Sequence, residues 1–462
     1  MTHIIADLQL HSRFSRAVSP AMTIPNIAMW ARRKGIGLVA TGDWTHPMWF
    51  REIERDLEEI GNGLLKIRAQ NAEPNDQPNP LFLLATEVSC IYSQNGKGRR
   101  VHTLIWVPSI SSARKISQEM TKRGCNLLSD GRPIIGLTSI DVAELVLSIE
   151  PKALIIPAHA WTPWFSVFGS MSGFTSLEEA FGPYAKHIYA VETGLSSNPS
   201  MNWQISELDS REIVSFSDAH SGPKLGREAT VFVFDESKGA ISYQHIYDAI
   251  SARSLKVDPK KLKVRIAHTI EFYPEEGKYH WSGHRACSVR WGPTETRKNG
   301  STCPVCGKPL TQGVEQRVSE LSERNEVDLQ LSVYEERMSK AATVRMTKSN
   351  AFPYRPPFLM MVPLVEIIAE AIGSPVASPK VQTPYFRLTD EVGSEFFVLL
   401  EAEIRAIAAV AGERIALGVD MVRKGQLTID PGYDGVFGVV KIWNTDGKSV
   451  ADAGKEQLTL LS

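Results

Sequence analysis

Acidic, amide and imidazole side chains recur in this sequence where short apolar runs end. Asp7, Gln9 and His11 close the first run, and Asp43 follows Val39-Ala40-Thr41-Gly42. Glu87 follows Phe82-Leu83-Leu84-Ala85-Thr86, and His102 stands at the start of Val101–Val107. His159 follows Leu154-Ile155-Ile156-Pro157-Ala158, Glu192 follows Tyr189-Ala190-Val191, and Asp218 and His220 follow Ile213–Ser217. Neutral imidazoles and carboxylates together suit Zn²⁺, Mn²⁺ or Fe²⁺, whereas Gln offers only a carbonyl oxygen, a poorer transition-metal ligand. A carboxylate such as Glu87 can bridge two ions, and paired ions stabilise both the attacking and the leaving oxygen in phosphoester hydrolysis. One histidine at a strand end is ordinarily structural; the repetition points to a metal centre. His3, His187, His245 and His268 carry only the structural reading, and His46 fits either.

A second constellation lies downstream. His284-Arg285-Ala286-Cys287 is separated by fifteen residues from Cys303-Pro304-Val305-Cys306. Two x₂ pairs at this distance predict a zinc ribbon. Four thiolate and imidazole ligands make a closed tetrahedral site, so this zinc is structural. His280 is a rival fourth ligand, but only His284 keeps the x₂ spacing. Cys90 and Cys125 are read as buried thiols. From Ser251 to Leu310 there are twelve Lys or Arg against five Asp or Glu. Within this basic stretch Lys278, Arg285 and Arg290 interleave with Tyr279, Trp281 and Trp291, a pattern suited to phosphates and stacked bases. The competing reading makes the aromatics a small core and the charges a solvated face. Two aromatic loops follow site positions: Trp161, Trp164 and Phe165 after His159, and Trp49 and Phe50 after Asp43. They suit either a pocket for a flipped base or packing against the rim.

The elements that must position these groups alternate. Strands are predicted at Ile4–Leu10, Leu38–Thr41, Leu81–Val88, Val101–Val107, Ala153–Pro157, Ile188–Val191, Ile213–Phe216 and Ala229–Phe234. Helices are predicted at Ile24–Lys34, Pro47–Ile60, Ser111–Arg123, Ser139–Ile149, Pro199–Leu208 and Tyr243–Ala252. Such repetition fits a βα barrel or a doubly wound sheet, and catalytic residues of βα barrels gather where strands end. Later come a polar helix at Val314–Asn325, helices at Leu364–Ala371 and Ser394–Ala411, and strands at Leu427–Asp430 and Val436–Trp443 joined by a turn at Pro431–Gly435.

The chain has 462 residues, enough for about three domains. The divisions expected are 1–250 for the strand–helix repeat, 251–325 for the basic zinc-binding module and 326–462 for a mixed, mainly helical C-terminal domain. With 51 Lys+Arg, 52 Asp+Glu and a net charge of −1, the chain is not a uniformly basic nucleic-acid binder, though a local basic surface remains open. No apolar run reaches the ~18 residues of a membrane span. Met1–Asp7 lacks a basic region followed by an apolar core, so a cytoplasmic location is expected.

The motifs also carry a family resemblance. Asp7-Leu8-Gln9-Leu10-His11-Ser12 resembles the first motif of the PHP (polymerase and histidinol phosphatase) metal-dependent phosphoesterases, and Thr41-Gly42-Asp43-Trp44 resembles the second. Glu87, Val101-His102, Ala158-His159 and Ser217-Asp218-Ala219-His220-Ser221 match the later motifs in order. The long form Ala6–Pro20, Thr41–Pro47 and the cysteine module are similar to the endonuclease Q branch over nearly the whole chain. The resemblance is most specific at Ser217–Ser221 and His280–Arg317. It implies a distorted (βα)7 barrel with two or three divalent ions (Zn, Mn or Mg), held by His11, Asp43, Glu87, His102, His159, Asp218 and His220 with Gln9 beside them. It further implies a DNA endonuclease cutting 5′ to uracil, hypoxanthine or abasic sites in DNA repair. Gln9 replaces the first histidine of the usual pair, Trp44 stands where many relatives have His, and Arg16 lies near another ligand position. These departures put a third ion in question. A small-molecule phosphatase and a DNA-binding protein with a weakened metal site are the competing functions.

Overall fold

The computed structural model describes residues 2–69, 78–235, 239–258 and 261–443. Its first part alternates as the sequence predicts: β1 (Thr2–Asp7), α1 (Ile24–Lys34), β2 (Leu38–Ala40) and α2 (Pro47–Asp56). A small hairpin, β3 (Leu57–Glu59) and β4 (Leu65–Ile67), precedes the long pair β5 (Leu81–Gln94) and β6 (Lys97–Val107). Then come α3 (Ile110–Lys122), β7 (Ile134–Ile135), α4 (Ser139–Ile149), β8 (Leu154–Pro157), α5 (Leu177–Phe181) and β9 (Ala190–Glu192). This part ends with α6 (Pro199–Asn202), β10 (Glu212–Val214), β11 (Ala229–Phe234) and α7 (Tyr243–Ser251). Local chemistry sets the helix ends. Thr23 caps α1 through the Asn26 N–H, Pro25 occupies its first turn, and Gly35 closes it in the left-handed conformation. Thr138 and Asp141 form a capping box on α4.

The protein is a mixed α/β structure around one large sheet. β1 lies parallel to β2 and β2 parallel to β5, while β6 runs antiparallel between β5 and β8. β9 and β10 form a parallel pair. The Ala160 N–H donates to the Glu192 carbonyl at 3.0 Å, and Leu10 bridges Ala219 in parallel. The site-bearing strand ends therefore follow one another from β1 through β10 and back to β1. β2, β8, β9 and β10 are buried along their whole length, as strands covered on both faces must be.

The sheet does not stop at the expected domain boundaries. β12 (Val264–Glu271) pairs with β11. The module of residues 282–321 holds β13 (Ser282–His284), β14 (Val289–Trp291), α8 (Pro293–Asn299) and α9 (Val314–Leu321). Beyond it, β15 (Leu331–Arg337), β16 (Thr343–Ser349) and β17 (Phe358–Met360) return to the large sheet, β17 lying parallel to β12. Five helices follow: α10 (Leu364–Ile372), α11 (Pro379–Glu391), α12 (Glu395–Leu400), α13 (Ile404–Ala411) and α14 (Glu413–Arg423). A last hairpin, β18 (Thr428–Asp430) and β19 (Val439–Lys441), ends the described chain.

Several elements differ from expectation. α2 ends at Asp56 rather than Ile60, because Leu57–Glu59 pairs with Leu65–Ile67 instead. The helix expected over Pro199–Leu208 is one turn at Pro199–Asn202 and a 3₁₀ turn at Ser206–Ser210. The helix expected over Ser394–Ala411 is two helices broken at Glu401–Glu403. The helix expected over Val314–Asn325 stops at Leu321. The strand expected over Val436–Trp443 is only Val439–Lys441. Glu335, Glu336 and Arg337 of β15 and Arg345 and Lys348 of β16 are exposed, so no apolar run marked these strands.

One buried ion pair ties the C-terminal helices to α1. The Lys34 ammonium lies 2.5 Å from Glu395, both side chains being buried. Glu395 also accepts from the Tyr385 hydroxyl (2.7 Å) and the Leu364 N–H (3.2 Å). Removing one partner strands a buried charge, whereas an apolar pair of similar volume does not. Glu395→Ala should therefore lose about 3–5 kcal/mol in urea unfolding, and the double variant Lys34→Met/Glu395→Leu should recover most of it.

Candidate metal centre and adjoining cavity

Three of the expected site residues, Asp43, His159 and Asp218, have positive φ (44°, 32° and 48°). Such backbone is uncommon outside glycine and concentrates at functional sites. Here it turns the chain sharply just after a strand and presents the side chain to the strand ends. Gly42, also at positive φ, is obligatory before Asp43, because a Cβ would come within 2.6 Å of the Leu10 carbonyl oxygen. The Glu192 carboxyl, its pKa pushed well up by burial, accepts the His159 N–H at 2.7 Å and supports that kink.

The polar residues converge on Glu87, which is fully buried. One of its oxygens lies 2.7 Å from Gln9 Nε2 and 3.3 Å from His11 Nε2. The other lies 2.6 Å from His102 Nδ1 and 3.5 Å from His159 Nε2. His102 Nδ1 and His159 Nε2 are themselves 3.2 Å apart. Asp218 Oδ1 approaches His11 Nε2 at 3.1 Å and His220 Nδ1 at 3.8 Å. Two groups of donor atoms thus form, Glu87–His102–His159 and His11–Asp218–His220, each gathered within 4.8 Å.

Asp43 has a different place from the others. Its Oδ1 accepts from His11 Nδ1 at 3.0 Å. Its Oδ2 accepts from the Ser12 N–H (2.6 Å), the Ser12 hydroxyl (2.7 Å) and the Ser15 hydroxyl (2.8 Å). Both oxygens are engaged in hydrogen bonds, so Asp43 orients His11 in this structure. This holds the His11 ring so that Nε2 faces Glu87 and Asp218. Thr162 Oγ1 at 3.2 Å does the same for His159 Nδ1.

The electrostatics call for cations. Burial would depress His11, but Asp43, Asp218 and Glu87 outweigh it and hold the imidazole well above its ordinary value. Burial would raise Glu87, but Arg132, His102 and His11 hold it well below the carboxylate range. Asp218 is brought to about 2 against its burial, chiefly by His11. Burial pushes His102 down to about 4, leaving a neutral ring suited to coordination. Gln9 Oε1 is buried without a hydrogen-bond partner. Carboxylates, imidazole nitrogens and the unpartnered Gln9 oxygen facing one another fit divalent metal ions. Of the three departures from the family pattern, Gln9 lies at the centre, whereas Trp44 is wholly buried and Arg16 is exposed.

Sequence reasoning missed Arg132. Its guanidinium lies 3.4 Å from both His11 Nε2 and Glu87 Oε1. The loop bearing it packs tightly: a Cβ on Gly131 would come within 2.4 Å of Asp43 Oδ2 and 2.3 Å of Ser15 Oγ. Asp130-Gly131 reads as a turn, but nothing local shows that the next side chain enters the centre.

A cavity of about 660 Å³ opens beside the centre. His102, His159 and Asp218 form part of its wall with Trp164 and Phe165. The facing wall is Gly277–His280, from the segment just before the cysteine module. Trp164 meets Tyr279 edge-on at 5.3 Å. His280 is buried, with Nδ1 unpartnered, and burial lowers it to about 4. The other aromatics named from sequence do not line the cavity. Trp161 donates to Asn202 and packs on Phe168, Trp49 donates to the Thr41 and Gly42 carbonyls, and Phe50 lies under Arg114. His46 caps α2 and stacks on Phe14 at 4.6 Å.

His284, Cys287, Cys303 and Cys306 form one cluster, with His284 Nδ1 3.5 Å from Cys306 Sγ. Desolvation opposes it, but the Cys306 and Val305 N–H groups bring the Cys303 thiol down to about 6. His280 lies in the cavity wall and is outside this cluster. Val289, Cys303 and Leu310 make the module's small core, with Trp291 against it. Of the basic residues named for DNA, Lys278 lines the cavity, Arg285 is exposed, and Arg290 pairs with Asp430.

The chain is similar to several known proteins. Residues 363–426 match a family described as the MJ0043 C-terminal domain. The uncharacterized protein YqxK of Bacillus subtilis is 28% identical over 96% of this chain and 100% of its own length. The uncharacterized protein MJ0043 of Methanocaldococcus jannaschii is 28% identical over 61% of this chain, a match spanning 31% of that protein. The crystal structure of the lesion-specific endonuclease PfuEndoQ from Pyrococcus furiosus is 29% identical, covers 98% of this chain and 99% of its own, and superposes with a TM-score of 0.77. A structure of endonuclease Q with a 27-mer duplex carrying an abasic lesion at its active site is 30% identical, covers 97% and 98%, and gives a TM-score of 0.76.

Two measurements test these assignments. Asp43→Asn should weaken metal binding by about 10–100-fold, read by calorimetric titration, with the fold retained by circular dichroism. Cys303→Ser should release about one tightly bound zinc per chain by elemental analysis while leaving binding at the Glu87 centre.

Proposed function

The chain belongs to the endonuclease Q family, and we propose that it is a metal-dependent DNA endonuclease cutting the phosphodiester 5′ to deaminated bases, such as uracil and hypoxanthine, or to abasic sites. The observation that carries this reading is a shared carboxylate, Glu87, between two groups of donor atoms beside a cavity of about 660 Å³ with an aromatic lip. In this reading the seven strands β1, β2, β5, β6, β8, β9 and β10 are a distorted barrel over residues 1–250. A structural-zinc module over 251–325 and a C-terminal domain over 326–462 complete an enzyme acting on damaged DNA in the cytoplasm.

Gln9 Oε1, His11 Nε2, Glu87 and Asp218 would hold one ion, and Glu87, His102 and His159 the other. When bound, such ions supply charge neutralisation at phosphorus and activation of water. The chain's own groups do the rest. Arg132 pairs with a non-bridging phosphate oxygen and supplies fixed positive charge where negative charge develops. His220 Nδ1 lies 2.8 Å from the Asp218 carbonyl oxygen, and its ring would serve either as a further ligand beside Asp218 or as a proton donor to the leaving oxygen. Trp164, Phe165 and Tyr279 receive a nucleotide extruded from the duplex. His280 Nδ1 is a polar group for reading its base edge. A small phosphate ester would need neither the aromatic wall nor the basic module, so the phosphatase reading has less support.

The deciding experiment is incision of end-labelled DNA carrying uracil, hypoxanthine or an abasic site, with Mg²⁺, Mn²⁺ or Zn²⁺. Cleavage immediately 5′ to the lesion is expected, and undamaged duplex should stay intact. Absence of incision with every metal, alongside brisk hydrolysis of p-nitrophenyl phosphate, would replace this reading by the phosphatase one. Arg132→Ala should slow incision by about 10²-fold or more with unchanged metal content. Gln9→His should tighten metal binding in a titration.

A further inference from the structure

The turn expected at Pro431–Gly435 closes the last hairpin, β18–β19, and this hairpin is fixed to the cavity wall. Gly432 donates to the Glu275 carbonyl (2.8 Å) and accepts the Trp281 N–H (2.9 Å). Gly435 donates to the Lys278 carbonyl (2.9 Å), and Gly438 donates to the Glu276 carbonyl (3.1 Å). Asp434 accepts from the Arg285 N–H (2.6 Å) and the Thr311 hydroxyl (2.5 Å). Residues 432–438 are thus bonded along 275–281, the stretch that supplies Gly277–His280 to the cavity.

Despite this anchoring, the connection carries an outward apolar edge. Phe437 is 67% exposed and Val436 40%. Lys278, a cavity residue, holds its ammonium 4.4 Å from the centre of the Phe437 ring. One exposed apolar side chain is ordinary on any surface. An aromatic ring on a fixed hairpin, with a cation over it, at the lip of a cavity sized for a nucleotide, is a more particular arrangement.

We propose that Phe437, with Val436 beside it, is a wedge that enters the base stack of duplex DNA and fills the space left by the nucleotide extruded into the cavity. The proposal rests on the endonuclease reading above. Extruding a nucleotide from a duplex costs a few kcal/mol of lost stacking and pairing, and apolar wedges between base steps are a general way to offset such a cost. The hairpin's bonds to the cavity wall fix the wedge relative to the pocket. Lys278 provides positive charge for the phosphate beside the opened step, so the occupant of this edge is a polyanion with an apolar stack. The wedge has work only where a stack must be opened. A lesion in single-stranded DNA reaches the cavity without it.

The test compares Phe437→Ala and Phe437→Trp with the parent on one uracil-containing strand, presented alone and annealed to its complement. Phe437→Ala should lower duplex incision by about tenfold or more, the scale of losing one aromatic stack, and change single-strand incision by less than about twofold. Phe437→Trp should restore the duplex rate. A 2-aminopurine placed beside the lesion in duplex DNA should brighten on binding the parent without divalent metal, and less with Phe437→Ala. Equal loss on both substrates, or no loss on duplex, with the parent active, would overturn the wedge alone. A parent that cuts neither substrate would overturn the endonuclease reading and the wedge with it.

Discussion

The centre of this protein is governed by one electrostatic constraint: the Glu87 carboxylate is buried and ionised, and other carboxylates surround it. A buried charge persists only when paired. His11, His102, His159, Gln9 and Arg132 meet its two oxygens from several elements. Asp43 and Asp218 add negative charge nearby, and Arg132 is a fixed counter-charge beside Glu87. The remainder is the affinity for divalent cations. The same imbalance that makes the ion-free centre costly makes an ion-loaded one a strong electrophilic surface for a phosphodiester.

The surrounding structure serves to hold that imbalance in place. Left-handed kinks at Asp43, His159 and Asp218 turn side chains from the strand direction into the centre. A further layer orients the rings: Asp43 and two serines for His11, Thr162 for His159. Gly131 admits the Arg132 loop only because it has no side chain to strike Asp43. Ligand atoms, their orienting partners and the arginine are thus coupled through contacts that leave little room for substitution.

Specificity belongs to a different part of the molecule. The cavity exists because Gly277–His280 faces Trp164 and Phe165 across the centre. That facing segment is braced by the hairpin of residues 428–441, and the helices before the hairpin are tied to α1 through Lys34 and Glu395. Chemistry and recognition therefore rest on parts of the chain far apart in sequence but joined by one continuous sheet from β11 through β12 to β17.

What the sequence determined by itself was whatever depends on residue type and short-range spacing. Apolar runs with period-two or buried patterns marked the strands that carry His11, Glu87 and His159, because burial on both faces demands such runs. The x₂ spacings marked the His284–Cys306 cluster, because tetrahedral coordination requires two short knuckles. The helix start at Thr23-Ile24-Pro25 was legible because capping is local. Tertiary structure alone decided what depends on direction and distance. Asp43 and Gln9 belong to the same motifs as His11, yet the Asp43 carboxylate is engaged by His11 and two serines while the Gln9 amide bonds Glu87 and leaves Oε1 free, since a backbone kink or a neighbouring hydroxyl redirects a side chain without changing its letter. Arg132 and the cavity wall at Gly277–His280 meet residues some tens to more than a hundred positions away, and no pattern within either segment encodes that meeting. The exposed β15–β16 hairpin was invisible for the opposite reason: it is held by main-chain pairing to the sheet, with few apolar side chains to announce it.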